Sequence, residues 1–381
     1  MTDSSCEHST KVVIIGGSIG GLCAGLALHA AGCDVEIRER SAGDHPSRGS
    51  GVVVRNEMEV FLEHHGIPVS ASIGVPSWIR QRIDLDGNML DREAAFTRYE
   101  SWDALHQRLR AAFPEERYHT GSRLTGIGDS DGGVRARFAD GREIDCDLLV
   151  GADGIGSTCR AILLPEAVPE YAGYVAWHGT IAEEALPLRT VKALGEKHTL
   201  YQGYGMQMVA FMIPGTDGDT TPGNRRMDWS WYVKTPEGDA PASLMTDSHG
   251  AVHERGVHGN IPDELRERQL QMARALLPPA FLDLFERTGD MSIMKVVDLG
   301  VPAMAFGQAC LIGDAAFTLR PQTSSGTAKA LADALTLAER IAEHPGDVPA
   351  ALAAWEPGRI ADGRRLQLWG RALDDRARSP R

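Results

Sequence analysis

Apolar positions change period along the chain, and each change predicts a different layer of structure. Residues 11 to 40, "KVVIIGGSIGGLCAGLALHAAGCDVEIRER", open on an unbroken apolar run, Val12 to Ile15. A strand covered on both faces carries such a run. A glycine turn follows, then a helix of small residues to about Ala31, stopped by Gly32, then a second strand from Asp34 to Arg38. The stretch "RGSGVVV" at 48 to 54 adds a second glycine-flanked turn and passes into a helix. The period then falls towards two. Residues 76 to 101 predict short antiparallel strands, 102 to 113 a helix, and 134 to 150 a hairpin turning at Asp140-Gly141. Residues 170 to 235 are strand-like and are interrupted by the loop "GTDGDTTPGN". Residues 236 to 262 predict a covering loop, 263 to 290 helix, 309 to 313 a strand and 325 to 343 a strong helix. The order predicts an α/β protein: a Rossmann-like nucleotide domain interrupted by a mainly antiparallel sheet domain. The boundaries are 1–75, 102–165 and 300–381 for the nucleotide domain, and 76–101 and 166–299 for the sheet domain.

Composition narrows the function classes. With 381 residues, 43% hydrophobic and 24% charged, the chain has the make-up of a soluble globular protein. A net charge of −13 argues against nucleic acid and anionic membrane as partners. There is no apolar run of about 18 residues and no apolar segment in the polar start "MTDSSCEHST". The six cysteines are scattered without zinc spacing, which predicts a reducing, cytoplasmic compartment. His249, His253 and His258 lack the regular frame and carboxylate orienter of a metal site.

The turn "GGSIGG" carries the first chemistry. A dinucleotide fingerprint wants glycine at the places of Gly16, Ser18 and Gly21, for a tight turn, close backbone approach to a pyrophosphate, and helix-to-sheet packing. Ser18 departs from it. An acid about 20 residues on should accept from ribose hydroxyls, and Glu39 stands there. This predicts a dinucleotide and leaves NAD and FAD open.

Two later stretches bear on that choice: "DLLVGADGIGSTCR" at 147 to 160 and "GDAAFTLRPQTSSGTAKA" from 313. With the first motif in the same order, the chain resembles the class A flavoprotein aromatic hydroxylases, the relatives of para-hydroxybenzoate hydroxylase. "RGSGVVV", "SWDAL" and the third motif look most like the 2,6-dihydroxypyridine 3-hydroxylase branch. The resemblance implies FAD, with NADPH or NADH as a transient donor. It places Glu39 on the adenosine ribose, Asp314 on a ribityl or ribose hydroxyl and Asp153 near the pyrophosphate. It also implies cofactor contacts at Gly16, Ser18, Ile19, Arg40, Arg48 and Leu124, and aims the amides of Gly326, Thr327 and Ala328 at the flavin ring. Arg48 and its neighbours would run beside the ring end of an extended cofactor. Departures from the family are Phe317 for His, Ser324-Ser325-Gly326 for Gly-Gln-Gly, and Trp102 where many members carry an Arg for the pyrophosphate.

The implied reaction hydroxylates a small electron-rich aromatic or N-heteroaromatic, hydroxypyridine- or phenol-like, through a flavin C4a-hydroperoxide. No metal is expected and a homodimer is usual. Candidate substrate residues are Arg320, Pro321 and Gln322 beside the flavin, with His178, Tyr201, Tyr204 and Trp231 on the sheet. Arg320 could pair with a substrate oxyanion or carboxylate. Two alternatives stand beside this reading. "DWSWYV" contains Trp-x-Trp, part of a flavin-dependent halogenase motif, but lacks the Ile-Pro that follows there. The third reading is a non-catalytic FAD-binding sensor.

Overall fold

The computed structural model describes residues 9–43, 51–69, 73–238 and 243–378, with side chains through residue 374. A six-stranded sheet runs in the order Ala305–Phe306, Ala309–Leu311, Leu148–Gly151, Lys11–Ile15, Asp34–Arg38, Tyr118–His119. All its pairs are parallel except the first. Helices Ile19–Ala30 and Gly326–Glu343 pack together beside it, so Val12, Val13 and Ile14 are fully buried. The expected hairpin divides in two. Gly133–Phe138 pairs with Glu143–Cys146, while the apolar run Leu148–Gly151 leaves to become a buried strand of the parallel sheet.

The larger sheet runs Gly256–His258, Met291–Gly300, Glu170–Ala182, Arg226–Lys234, Met206–Ile213, Lys197–Gly203, Val75–Ile83, Met89–Ser101, Gly51–Val54. Its neighbours are antiparallel except for Lys197–Gly203 against Val75–Ile83. Helices Leu188–Leu194, Asp263–Leu276 and Pro279–Arg287 cover one face. The last two replace the single helical stretch expected at 263–290, because Pro278 and Pro279 end the first. Strand alternation decides what each face carries. Trp177, Met208, Met212, Trp229 and Trp231 point into the helix-covered core against Phe281 and Phe285. The intervening residues, including His178, Phe211 and Asp228, therefore point to the other face. Gly51–Val54 is shared: it is an edge strand of this sheet, while Val54 sits in the core of the nucleotide-type unit.

A buried ion pair joins the long helix to the parallel sheet. Lys329 and Asp333, one helical turn apart, are 1% and 0% exposed and bonded at 2.6 Å. The pair grips both backbone groups of Gly313. Lys329 Nζ donates to its carbonyl at 3.1 Å, and its N–H donates to Asp333 Oδ2 at 2.9 Å. The C-terminal helix Val348–Arg378, for which the sequence predicted no element, backs the pair: Trp355 Nε1 donates to the Asp333 carbonyl at 3.2 Å. Removing one partner strands a buried charge. Lys329→Met should lower unfolding free energy by about 3–5 kcal/mol in urea titration, and Lys329→Met with Asp333→Leu should recover most of that loss.

Candidate active site

The first motif is built for close contact. Gly16 has φ +108°, and a Cβ there would lie 2.5 Å from the Ala152 carbonyl and 2.9 Å from Asp153 Cα. Only glycine fits such a turn. Ser18 is extended, with φ −78° and ψ −177°, a conformation open to any residue, so the missing glycine costs nothing in the backbone. Glu39 is buried and accepts from the amides of Gly17 and Ser41, both at 2.8 Å. Its carboxylate thus ties the end of the second strand to the glycine turn. Arg40 beside it is exposed, and Ile19 and Leu124 are buried in the core beneath. Trp102, found where many family members carry arginine, stacks on His106 at 4.8 Å and 10°. His106 Nε2 lies 2.9 Å from the Gly17 carbonyl, to which Tyr118 also donates at 3.1 Å. An aromatic plate therefore lines this turn.

The second motif serves its own loop. The Asp153 carboxylate accepts from the Ser157 hydroxyl at 2.5 Å and from the amides of Thr158 and Cys159 at 2.6 and 3.1 Å. It closes the N-terminus of helix Thr158–Leu163. Arg160, 4% exposed, donates to the carbonyls of Ile155, Ala167 and Ala315, fastening this loop to the third motif.

In the third motif Asp314 is half-buried in the turn Gly313–Ala315, which the Lys329–Asp333 pair fixes from below. Ser324 takes a left-handed conformation, φ 47°, at a place where the family's Gly-Gln-Gly has its first glycine. Ser325 donates to the Thr323 carbonyl and accepts from Arg55 Nη2 at 2.9 Å. The first helical bond of Gly326–Glu343 runs from Lys329 N–H to the Ser325 carbonyl at 2.9 Å. The amides of Gly326, Thr327 and Ala328 have no acceptor among the described residues. They form an N-terminal cluster of donors suited to negative charge.

Strand Gly51–Val54, followed by Arg55, links this helix start to the face of the large sheet turned away from the covering helices. His178 Nε2 is 2.8 Å from Asp228 Oδ2, and the same oxygen accepts the Gly51 amide at 2.9 Å. Both side chains are buried. Further across the sheet, Tyr99 and Phe211 stack at 4.0 Å and 20°, and His198 stacks on Phe211 at 5.7 Å and 10°. Tyr99 OH meets His198 Nδ1. Tyr174 OH donates to Gln322 Oε1 at 3.0 Å, which ties this face to the loop leading into the long helix.

Several expected substrate residues lie elsewhere. Trp231 and Tyr201 are buried on the helix-covered face, because strand phase sends them to the side opposite His178. Tyr204 is in a hairpin turn and 87% exposed. Arg320 is held by carboxylates: it bonds Asp298 at 2.7 and 3.0 Å and also bonds Asp374. The guanidinium is a fastener between a sheet strand and the C-terminal helix, which corrects its assignment to a substrate anion. Pro321 is exposed in the short turn Pro321–Thr323. Arg48 lies outside the described residues. Asp228, Arg55, Tyr99, Phe211 and His198 were not among the residues expected.

A model of an FAD binding domain matches residues 9–214, more than half of the chain, and one of an FAD binding domain-like family matches 171–298. The 2,6-dihydroxypyridine 3-monooxygenase of Paenarthrobacter nicotinovorans is 34% identical over 93% of this chain and 88% of its own length. The chain belongs to the FAD-dependent aromatic hydroxylases. The structure of 2,6-dihydroxypyridine-3-hydroxylase from Arthrobacter nicotinovorans superposes with TM-score 0.92 at 32% identity, covering 98% of this chain and 93% of that one. Klebsiella pneumoniae HpxO, solved with FAD and uric acid, shares the fold at TM-score 0.80 and 23% identity, over 99% and 91% of the two chains. This hydroxylase is an FAD enzyme, and the geometry fits the cofactor: a turn no Cβ can enter, a buried acid at the end of the second strand, and donor amides at a helix start.

Burial holds the His198 imidazole down at about 4, against an ordinary 6.5. The folded state therefore resists a proton that the unfolded chain takes up below 6.5. This contribution, about 3 kcal/mol, is whole above pH 6.5 and is lost as pH falls towards 4. Denaturation midpoints measured from pH 7 to 4 should fall for the hydroxylase and fall less for His198→Phe.

Proposed function

We propose that this FAD-dependent monooxygenase hydroxylates a small hydroxylated N-heteroaromatic, of the hydroxypyridine class, with NADH or NADPH as the electron donor. The observation that carries the reading is the sheet face turned away from the covering helices. It sets a buried His–Asp pair beside the flat Tyr99, Phe211 and His198 rings, and strand Gly51–Val54 with Arg55 connects that pair to the start of the long helix. Such a wall suits a planar ring bearing exchangeable protons better than an aliphatic substrate. Relatives named for dihydroxypyridine and hydroxynicotinate oxidation support the same class. A cytoplasmic location is supported by five buried free thiols among the described residues. No helix of the described residues is long and apolar enough to cross a membrane.

Glu39, Gly16 to Ser18 and Asp314 would hold the nucleotide and ribityl parts of FAD, and the amides of Gly326 to Ala328 its ring. Bound and reduced, FAD supplies activated oxygen to an electron-rich ring. The chain's own work is to hold that ring still, exclude water and manage the proton on its hydroxyl. The halogenase alternative loses its motif here. Trp229 and Trp231 both lie in the helix-covered core with 0% exposure, where neither reaches a cofactor. The sensor alternative fares no better, since its named relatives turn substrate over.

Supplying ¹⁸O₂, NAD(P)H and a panel of hydroxypyridines and phenols tests the reading. Oxidation of NAD(P)H should accelerate with a hydroxypyridine, whose product should gain one labelled oxygen with or without halide. A halogenated product, or label taken from water, would reverse the conclusion.

A further inference from the structure

We propose that His178 is the base that takes the proton from the substrate's ring hydroxyl, with Asp228 as its positioning residue. This rests on the hydroxylase reading above and assigns the step that makes the ring electron-rich. Three observations meet at the pair. First, both side chains lie on the sheet face turned away from the covering helices. His178 follows Trp177, and Asp228 stands between Met227 and Trp229, all three of which point into the opposite core. Second, Asp228 Oδ2 lies 2.8 Å from His178 Nε2 and accepts from the Gly51 amide at 2.9 Å. With Asp228 ionised its oxygens can only accept, and in that state Nε2 carries the ring proton and Nδ1 the lone pair. Third, that Nδ1 has no hydrogen-bond partner among the described residues, although His178 is only 6% exposed.

The pair is also coupled to the flavin end of the site. Gly51 opens strand Gly51–Val54, whose next residue, Arg55, donates to Ser325 at the start of the long helix. One short segment thus holds Asp228 and the helix start in one frame. The groups around His178 are few. Directly across the strands stand Ser230 and Ser292, which do not titrate in this range. Arg226 and Tyr232 lie two and four residues from Asp228 on the same strand, Tyr174 lies four residues before His178, and the His198–Tyr99 pair stands further across the sheet. Asp228 is the carboxylate in direct contact, where a negative charge would face the proton that the step brings to the ring.

In the step, the ring O–H bond breaks and an N–H bond forms at Nδ1. The electron pair stays on oxygen and is delocalised into the ring, raising the carbon's nucleophilicity. As aromaticity is restored, the ring carbon gives its own proton to solvent water and the Nδ1 proton returns to the oxygen. Nothing is oxidised or reduced at the pair itself.

The test uses FAD-loaded enzyme with 2,6-dihydroxypyridine as probe, and reads turnover against pH together with the ultraviolet spectrum of the bound probe. The wild-type enzyme should bind the probe as its anion well below the pH at which the free probe ionises. His178→Gln should bind it neutral and lose about 10²-fold in kcat near pH 7, regaining rate tenfold per pH unit as the probe ionises unaided. Asp228→Asn should lower the pH of the acid limb, because the imidazolium loses its counter-charge. If the wild-type enzyme turns over but leaves the probe's ionisation unshifted, the dyad proposal falls and the hydroxylase reading stands. A uniform loss in His178→Gln at every pH overturns it too. No turnover of any hydroxylated heteroaromatic by the wild-type enzyme overturns both. The spectrum of the wild-type complex decides the matter even where a variant fails to fold.

Discussion

The arrangement depends on one buried charge pair. Lys329 and Asp333 occupy both hydrogen-bonding groups of Gly313, so the turn carrying Asp314 and the helix beginning at Gly326 move as one piece. Such a pair repays its desolvation only with good geometry and extra hydrogen bonds; here Gly313 supplies them, and Arg359 Nη1 of the helix behind stands 3.6 Å from Asp333 Oδ1. Everything attached to the flavin side inherits this placement. Arg160 ties the second motif to Ala315, and Arg55 ties the edge strand of the large sheet to Ser325. Three motifs separated by more than a hundred residues in sequence thereby share one frame.

The sheet contributes the opposite wall. Its register sets Thr180, Asp228 and Phe211 in one row across three strands. Because tryptophans fill the alternate positions, the covered face is locked in phase and the polar face follows by necessity. A slip of one residue along Arg226–Lys234 would turn Asp228 into the core and Trp229 and Trp231 out of it, so packing energy enforces the geometry of the site. Arg320, in turn, holds this sheet to the C-terminal helix through Asp298 and Asp374.

Much of this was legible in the chain. The opening strand, glycine turn, helix and acid are local, and they read directly from "KVVIIGGSIGG" and Glu39. What the sequence hid was mostly non-local. The partners of Arg320 stand 22 and 54 residues away, so a loop arginine looked available when it was not. The mistake over Trp231 was different, because its signal was present. In "DWSWYV" the apolar tryptophans alternate with Asp228 and Ser230. Read against the apolar stripe of the helices at 263–287, that alternation sends the tryptophans inwards and the aspartate out. Gly51 and Asp228, 177 residues apart, could be joined only by the fold.

The central claim is that a substrate ring lies between the amides of Gly326 to Ala328 and the His178–Asp228 pair. A crystal structure with FAD and a hydroxypyridine bound tests it most directly. The account predicts the ring's hydroxyl oxygen within hydrogen-bond distance of His178 Nδ1, with the flavin's pyrimidine edge meeting the helix amides. A ring bound elsewhere, or His178 turned away and packed against protein, would contradict it.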